Sequence, residues 1–247
     1  MELKQINIPK VIFTSFKDER GDNKIVDTLL NEWEKKNPDL EVKYFSDNDL
    51  DEYFENHPRR EVFEMIKSGV AKADYFRVCY LQSHGGTWFD FDFEPFTVEF
   101  PDVDSPLILY NMGYGNVSFM FMSSEAGQPI WEALLEEVDL RVTELTNKGG
   151  LDKVSFDLID PNIHPHTGNG SCCIPCITGP RVLQYVLGVH STGRHGMRGG
   201  PHHLEPENAY HTFKGFKFYY AKGQGGFERK TDTYRENLRA GYMWGTT

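Results

Sequence analysis

The sequence predicts an α/β fold: a Rossmann-like, mostly parallel central sheet flanked by helices, with a less regular C-terminal half. Three observations carry that expectation. Short apolar runs alternate with helix-periodic stretches through the first hundred residues, the order that builds parallel sheets. The 247 residues are 39% hydrophobic and 14% aromatic, enough for a large packed core. The second half holds two Gly-, Pro-, His- and Ser-rich stretches, 161–176 and 188–206, longer than ordinary connections.

Each element follows from its residues. Lys10–Phe16 is short, apolar and β-branched after Pro9, and predicts a buried strand. Ile25–Asn37 sets Ile25, Leu29, Leu30 and Trp33 at helical spacing, and Pro38 stops it. Leu40–Phe45 alternates as a second strand, followed by short helices over Asp47–Glu55 and Arg59–Lys67, divided near Pro58. A longer helix spans about Ser68 to His84, ended by Gly85-Gly86. Thr87–Phe93 predicts a third strand, Pro106–Tyr110 and Val117–Met122 two more, Gln128–Leu145 an amphipathic helix, and Phe213–Tyr220 a late strand. Neither a repeat nor a clean linker divides the chain. One domain over 1–247 is expected, with a ligand-binding half at about 1–100 and a half with long loops at about 101–247.

Charge narrows the function. Against 26 Lys and Arg stand 37 Asp and Glu, a net charge of −11. That excludes a general nucleic-acid binder and disfavours an anionic membrane surface. No stretch approaches the roughly 20 apolar residues of a membrane span, and the charged, Pro-containing start lacks the apolar run of a signal peptide. A cytosolic setting, bacterial or virus-infected rather than the Golgi lumen, is the expectation. Three of the four cysteines, Cys172, Cys173 and Cys176, crowd together apart from Cys79, which suits reduced thiols rather than a disulfide framework. With His164 and His166 upstream they are the better zinc candidate, although structural zinc normally takes two well-spaced ligand pairs.

The stretch Ala71–Pro95 carries the most chemistry. Asp74 and Arg77, three apart on a helix, share a face. Taken alone they read as a surface ion pair worth a few tenths of a kcal/mol. After the glycine pair, Asp90, Asp92 and Glu94 alternate with Phe89, Phe91 and Phe93. On an extended chain the aspartates point one way and the phenylalanines enter the core. Carboxylates so close repel one another, and a hard divalent cation such as Mn²⁺ or Mg²⁺ relieves the repulsion.

The order A-x-x-D-x-x-R…G-G-x-x-x-D-x-D, at Ala71, Asp74, Arg77, Gly85, Gly86, Asp90 and Asp92, resembles the glycosyltransferase family with a DXD sugar-binding region. That family is typified by the yeast initiating α-1,6-mannosyltransferase and includes capsular-polysaccharide transferases; the glucosyltransferase domains of clostridial toxins are similar over the same stretch. Ile8–Ile12 resembles the family's I-P-K-x-I start, Thr178-Gly179-Pro180 its T-G-P segment, and Ala209–Phe213 its A-x-H-x-W segment, with Phe213 in place of Trp.

The resemblance implies a GT-A fold, a nucleotide-sugar donor (UDP- or GDP-sugar), a divalent metal and retention of configuration. Position by position, it implies catalytic roles for Asp74, Arg77, Asp90 and Asp92. Donor contacts fall to Phe13, Thr14, Asp74, Arg77, Gly86, Asp90 and Lys214, and metal ligation to Asp90, Asp92 and His211. The cofactor is Mn²⁺ (or Mg²⁺). The acceptor is a glycan, a lipid-linked sugar or a protein side chain, in polysaccharide or glycoprotein glycan synthesis. Lys214, Lys217 and Arg181 are candidates for added positive charge, and Arg194 and Arg198, among glycines, for a lid over the diphosphate. Clustered carboxylates also serve metal-dependent hydrolases of phosphate or glycosidic bonds, and a non-catalytic sugar-nucleotide or glycan binder would keep the same residues.

Overall fold

The computed structural model describes residues 7–67, 69–91, 93–111, 117–147, 177–187, 208–213 and 216–222. It is an α/β structure around one seven-stranded sheet. Strand β1 (Val11–Ser15) buries Ile12, Phe13 and Thr14 and pairs in parallel with β2 (Glu41–Phe45) and with β3 (Gly86–Phe89). Beyond β3 come β5 (Val117–Ser124), β4 (Leu107–Asn111), β7 (Phe216–Ala221) and β6 (Ala209–Phe213), in that spatial order. Only β5 and β6 run against the rest, so five strands share one direction and the sheet is mostly parallel.

Local chemistry sets the helix ends. α1 (Lys24–Lys36) starts where the Asn23 side chain accepts from the Ile25 N–H, and it buries Val26, Leu29, Leu30 and Trp33. α2 (Asp47–Glu55) begins with a capping box between Ser46 and Asp49, which satisfies two end donors reciprocally. α3 (Arg60–Met65) is a short turn of helix. α4 (Gly69–His84) is buried without a break from Asp74 to Leu81, so it has no solvated face along that stretch and lies inside the molecule.

The exit from α4 needs glycine. Gly85 donates to Leu81 O at 3.0 Å with φ at +69°, and a Cβ there would lie 2.7 Å from Ser124 O. α5 (Pro129–Asn147) packs against α4, and α6 (Pro180–Leu187) against α5 and β5.

Strand alternation divides the core between the two sheet faces. Phe13 and Trp88 join α4, α5 and α6 on one face. Ile12 and Phe89 meet Trp33 of α1 on the other, with Trp33 and Phe89 centroids 4.2 Å apart. Among the described residues no helix is long and apolar enough to cross a membrane.

Two expected elements differ. The third strand stops at Phe89 instead of running to Phe93, because Phe93 N donates to Asp90 O at 3.1 Å and closes a turn. The late strand is the second arm of an antiparallel pair, β6 with β7. The Cys172–Cys176 cluster, His164, His166, Arg194 and Arg198 lie outside the described residues.

Candidate active site

β1 leaves for α1 and β2 on one side, while β3 lies on its other side, so the C-terminal ends of β1 and β3 flank the point where strand order reverses. Open α/β sheets bind ligands at that crevice. Asp90 follows β3 directly and is held there by its backbone N–H, which donates to Met120 O at 2.9 Å.

Arg77 gathers the site. Its Nη2 lies 2.9 Å from Asp74 Oδ1, and its Nη1 lies 3.0 Å from Asp90 Oδ1 and donates to Phe119 O at 2.6 Å. The guanidinium centre sits 4.3 Å from the Trp88 ring and 4.9 Å from the Phe119 ring. Trp88 Nε1 in turn donates to Asp90 Oδ1 at 2.9 Å. From the far part of the sequence Thr178 Oγ1 donates to Asp74 Oδ2 at 3.2 Å.

Exposure separates the roles. The Asp74 and Arg77 side chains are 8% and 7% exposed, whereas Asp90 is 23% exposed and is the member that opens to the crevice. The surface-pair reading of Asp74 and Arg77 is therefore replaced by a buried network, in which one arginine bridges two carboxylates from different elements. Burial raises the Asp74 carboxyl to about pKa 6; Arg77 opposes the shift, Asp90 adds to it, and the Thr178 hydroxyl draws it down. Among the described residues of this cluster one cation faces two carboxylates, which leaves no positive surplus there for a diphosphate.

Other expected residues fall elsewhere. Phe13 is fully buried among Phe76, Tyr80 and Trp88, with the nearest ring, Tyr80, 4.4 Å away. It has no surface to offer a nucleotide base, and it supports Trp88 from behind. Thr14 is also fully buried, at the C-terminal end of β1, and Thr14 Oγ1 and Ser15 Oγ find no hydrogen-bond partner among the described residues. Gly86 lies at the opposite end of β3 from Asp90. With φ at +103° and a virtual Cβ 3.1 Å from Val11 O, it lets β3 pair closely with β1 instead of facing a ligand.

His211 is not brought to the carboxylates. It sits on β6, four strand spacings from β3, or about 19 Å. Its register through Phe218 and Ser124 reaches Gly86, not Asp90. The imidazole instead stacks on Phe218. Asp92 and Lys214 lie outside the described residues, and among those described no group of three or more His, Cys, Asp or Glu is placed to hold a metal.

Three participants were not singled out from the residues. Trp88 and Phe119 cradle Arg77, and Thr178 holds Asp74. A signal existed for Trp88, an aromatic two positions before Asp90, and for Thr178 in the T-G-P segment; Phe119 had none.

Comparison with known proteins bears on this geometry. Residues 24–98 match a family model described as a glycosyltransferase sugar-binding region containing a DXD motif. A solved structure titled PaToxG Glycosyltransferase is similar at 14% identity with a TM-score of 0.49, covering 73% of this chain and 68% of that one. No curated protein matches the chain. The matched segment runs from α1 through the turn at Asp90 and holds Asp74, Arg77, Trp88 and Asp90, all but Thr178 and Phe119 of the network just described. Residues 24–98 are thus similar to the sugar-binding region of DXD-containing glycosyltransferases.

Proposed function

We propose that the chain is a GT-A-type glycosyltransferase that moves a sugar from a UDP- or GDP-sugar to a hydroxyl acceptor, with retention of configuration. The observation that carries this reading is the buried Asp74–Arg77–Asp90 network at the switch point of the sheet, inside the matched sugar-binding region. Thr178 supports treating 1–247 as one domain, since a residue of the second half completes the polar shell of a donor-site residue.

The residues present suit a divalent ion at the D-x-D turn. Asp90 offers a hard carboxylate that is part exposed, and Asp92 follows two positions later; hard oxygen donors favour Mn²⁺ or Mg²⁺ over zinc. When bound, such an ion supplies the positive charge that a diphosphate leaving group needs beside a chain of net charge −11. His211 is not among the ligands in this reading, because it lies across the sheet.

The chain's own residues do the rest. Asp74, held on both oxygens by Arg77 and Thr178, accepts hydroxyls of the donor sugar and fixes the ring. Its negative charge also favours the oxocarbenium-like character that develops as the glycosidic bond to the diphosphate breaks. Arg77, locked over Trp88, keeps Asp90 and Asp74 in one geometry so that little reorganisation accompanies the reaction. Ser15, only half-buried at the C-terminal end of β1, has an Oγ without a hydrogen-bond partner among the described residues and suits the polar edge of a nucleoside. The acceptor hydroxyl attacks the anomeric carbon as the bond to the diphosphate breaks, and its proton leaves with the diphosphate.

The test is release of UDP or GDP from UDP-glucose, UDP-galactose, UDP-N-acetylglucosamine and GDP-mannose with Mn²⁺ and a mixture of glycan acceptors. Release from one donor, lost in Arg77→Ala, supports the reading. No release from any of them, and no binding of the nucleotides, overturns it.

A further inference from the structure

The T-G-P segment meets the site through Thr178. Thr178 lies 104 positions after Asp74 and donates its hydroxyl to Asp74 Oδ2 at 3.2 Å, while Arg77 holds Oδ1 at 2.9 Å. The two carboxylate oxygens are therefore held by different elements, one by α4 itself and the other by the approach to α6. Thr178 is 1% exposed and Asp74 6%, so little water competes for this bond.

The position of Thr178 is fixed by packing. Pro180 opens α6 with a preset φ and no N–H to satisfy, and Val182 N donates to Gly179 O at 3.1 Å. Val182, Leu183, Val186 and Leu187 are all buried, so α6 cannot slide without opening the core. A carboxylate oxygen has two lone-pair sites, so accepting from Thr178 or Arg77 leaves it able to accept from a ligand hydroxyl as well. What the Thr178 bond removes is rotation of the carboxylate about χ2.

We propose that Thr178 is a positioning residue for the donor sugar: its hydroxyl sets the Asp74 carboxylate plane so that sugar hydroxyls meet it in one orientation. The proposal rests on the donor-site reading above and adds a determinant outside the matched region, from the second half of the chain. It also makes a distinction that a purely structural hydroxyl does not. A threonine that only satisfies its own burial affects unfolding, whereas one that orients Asp74 affects the sugar and spares the nucleotide.

The experiment titrates the unaltered chain, Thr178→Val, Thr178→Ala and Thr178→Ser with UDP, UDP-glucose, GDP and GDP-mannose in Mn²⁺ by calorimetry, with thermal melts alongside. The expected result is that Val and Ala bind the bare nucleotide as the unaltered chain does but bind its sugar conjugate about tenfold more weakly, while Ser stays within about twofold. The alanine variant supplies the same comparison where valine fails to fold. An unchanged ratio of conjugate to nucleotide affinity in Val and Ala overturns the proposal, as does a Ser variant as impaired as Val. If the unaltered chain binds none of the four ligands, the donor-site reading fails and this proposal with it. If it binds them and the variants do not differ from it, only the proposal fails.

Discussion

Asp74→Asn separates stability from function. Asp74 is buried, and burial holds its carboxyl at about pKa 6 against an ordinary 3.8, although Arg77 lies 2.9 Å away. Desolvation thus outweighs the ion pair, the known outcome when the compensation of a buried charge is incomplete. The sign follows from proton counts. Between pH 3.8 and about 6 the unfolded chain has released this proton and the folded chain retains it. The native state therefore loses stability as pH rises through that window, by about 1.4 kcal/mol per unit and about 3 kcal/mol in all. Asparagine has no such proton. Urea unfolding of both proteins in EDTA at pH 4, 5, 6 and 7 reads the difference directly. The stability of Asp74→Asn minus that of the unaltered chain should climb by up to about 3 kcal/mol from pH 4 to pH 7. Donor-sugar turnover should be lost in the same variant. A pH-independent difference, or one that falls as pH rises, would show that Arg77 at least offsets burial and would refute the reasoning.

Three further outcomes are expected. Arg77→Lys should cut kcat/KM about 100-fold, roughly 3 kcal/mol of transition-state stabilisation, because a point-like ammonium cannot bridge Asp74 and Asp90, reach Phe119 O and lie flat on Trp88 together; near-normal kinetics would remove Arg77 from the centre of the account. Gly85→Ala should lower the urea midpoint by the equivalent of about 2–4 kcal/mol, since the new Cβ meets Ser124 O at 2.7 Å on a backbone with φ at +69°, and a neutral result would mean the α4–β3 corner relaxes freely. His57 accepts from Arg59 N at 3.1 Å through Nδ1, and burial, aided by Arg59, lowers its pKa. Its contribution is present above the unfolded pKa of 6.5 and is lost as pH falls through the lower folded value, so His57→Gln should gain on the unaltered chain in melts below pH 6.5, and parallel melt curves would exclude that coupling.

How much of this was legible before the structure depends on the kind of signal. α2 was readable to the residue because Ser46 and Asp49 cap it and Pro58 ends the region, both local devices. Helix α4 and its glycine exit were equally local. The turn at Asp90 was misread because alternating phenylalanines have two explanations. Phe91 packs on Phe16 and Tyr44, whereas Phe93 packs in the cluster around Trp33, and a turn buries both as well as a strand does. Burial of Asp74 and Arg77 was in the pattern, since Tyr75, Phe76, Val78, Cys79, Tyr80 and Leu81 leave no polar side to that part of the helix. The place of His211 was not, because it depends on the order and register of β4, β5 and β7, which no short motif encodes. The same holds for Thr178: its motif was visible, but its meeting with Asp74 is a long-range contact set by the packing of α6.

The central claim is that the carboxylate network at the end of β3 is a metal-assisted donor site. Calorimetric titration of UDP, GDP and their common sugar conjugates with Mn²⁺, then with EDTA, and with Asp90→Asn in parallel, tests it most directly. The account predicts tight binding of one nucleotide and its conjugate, lost with EDTA and in the variant. Binding that survives both EDTA and Asp90→Asn, or no binding of any nucleotide, would contradict it.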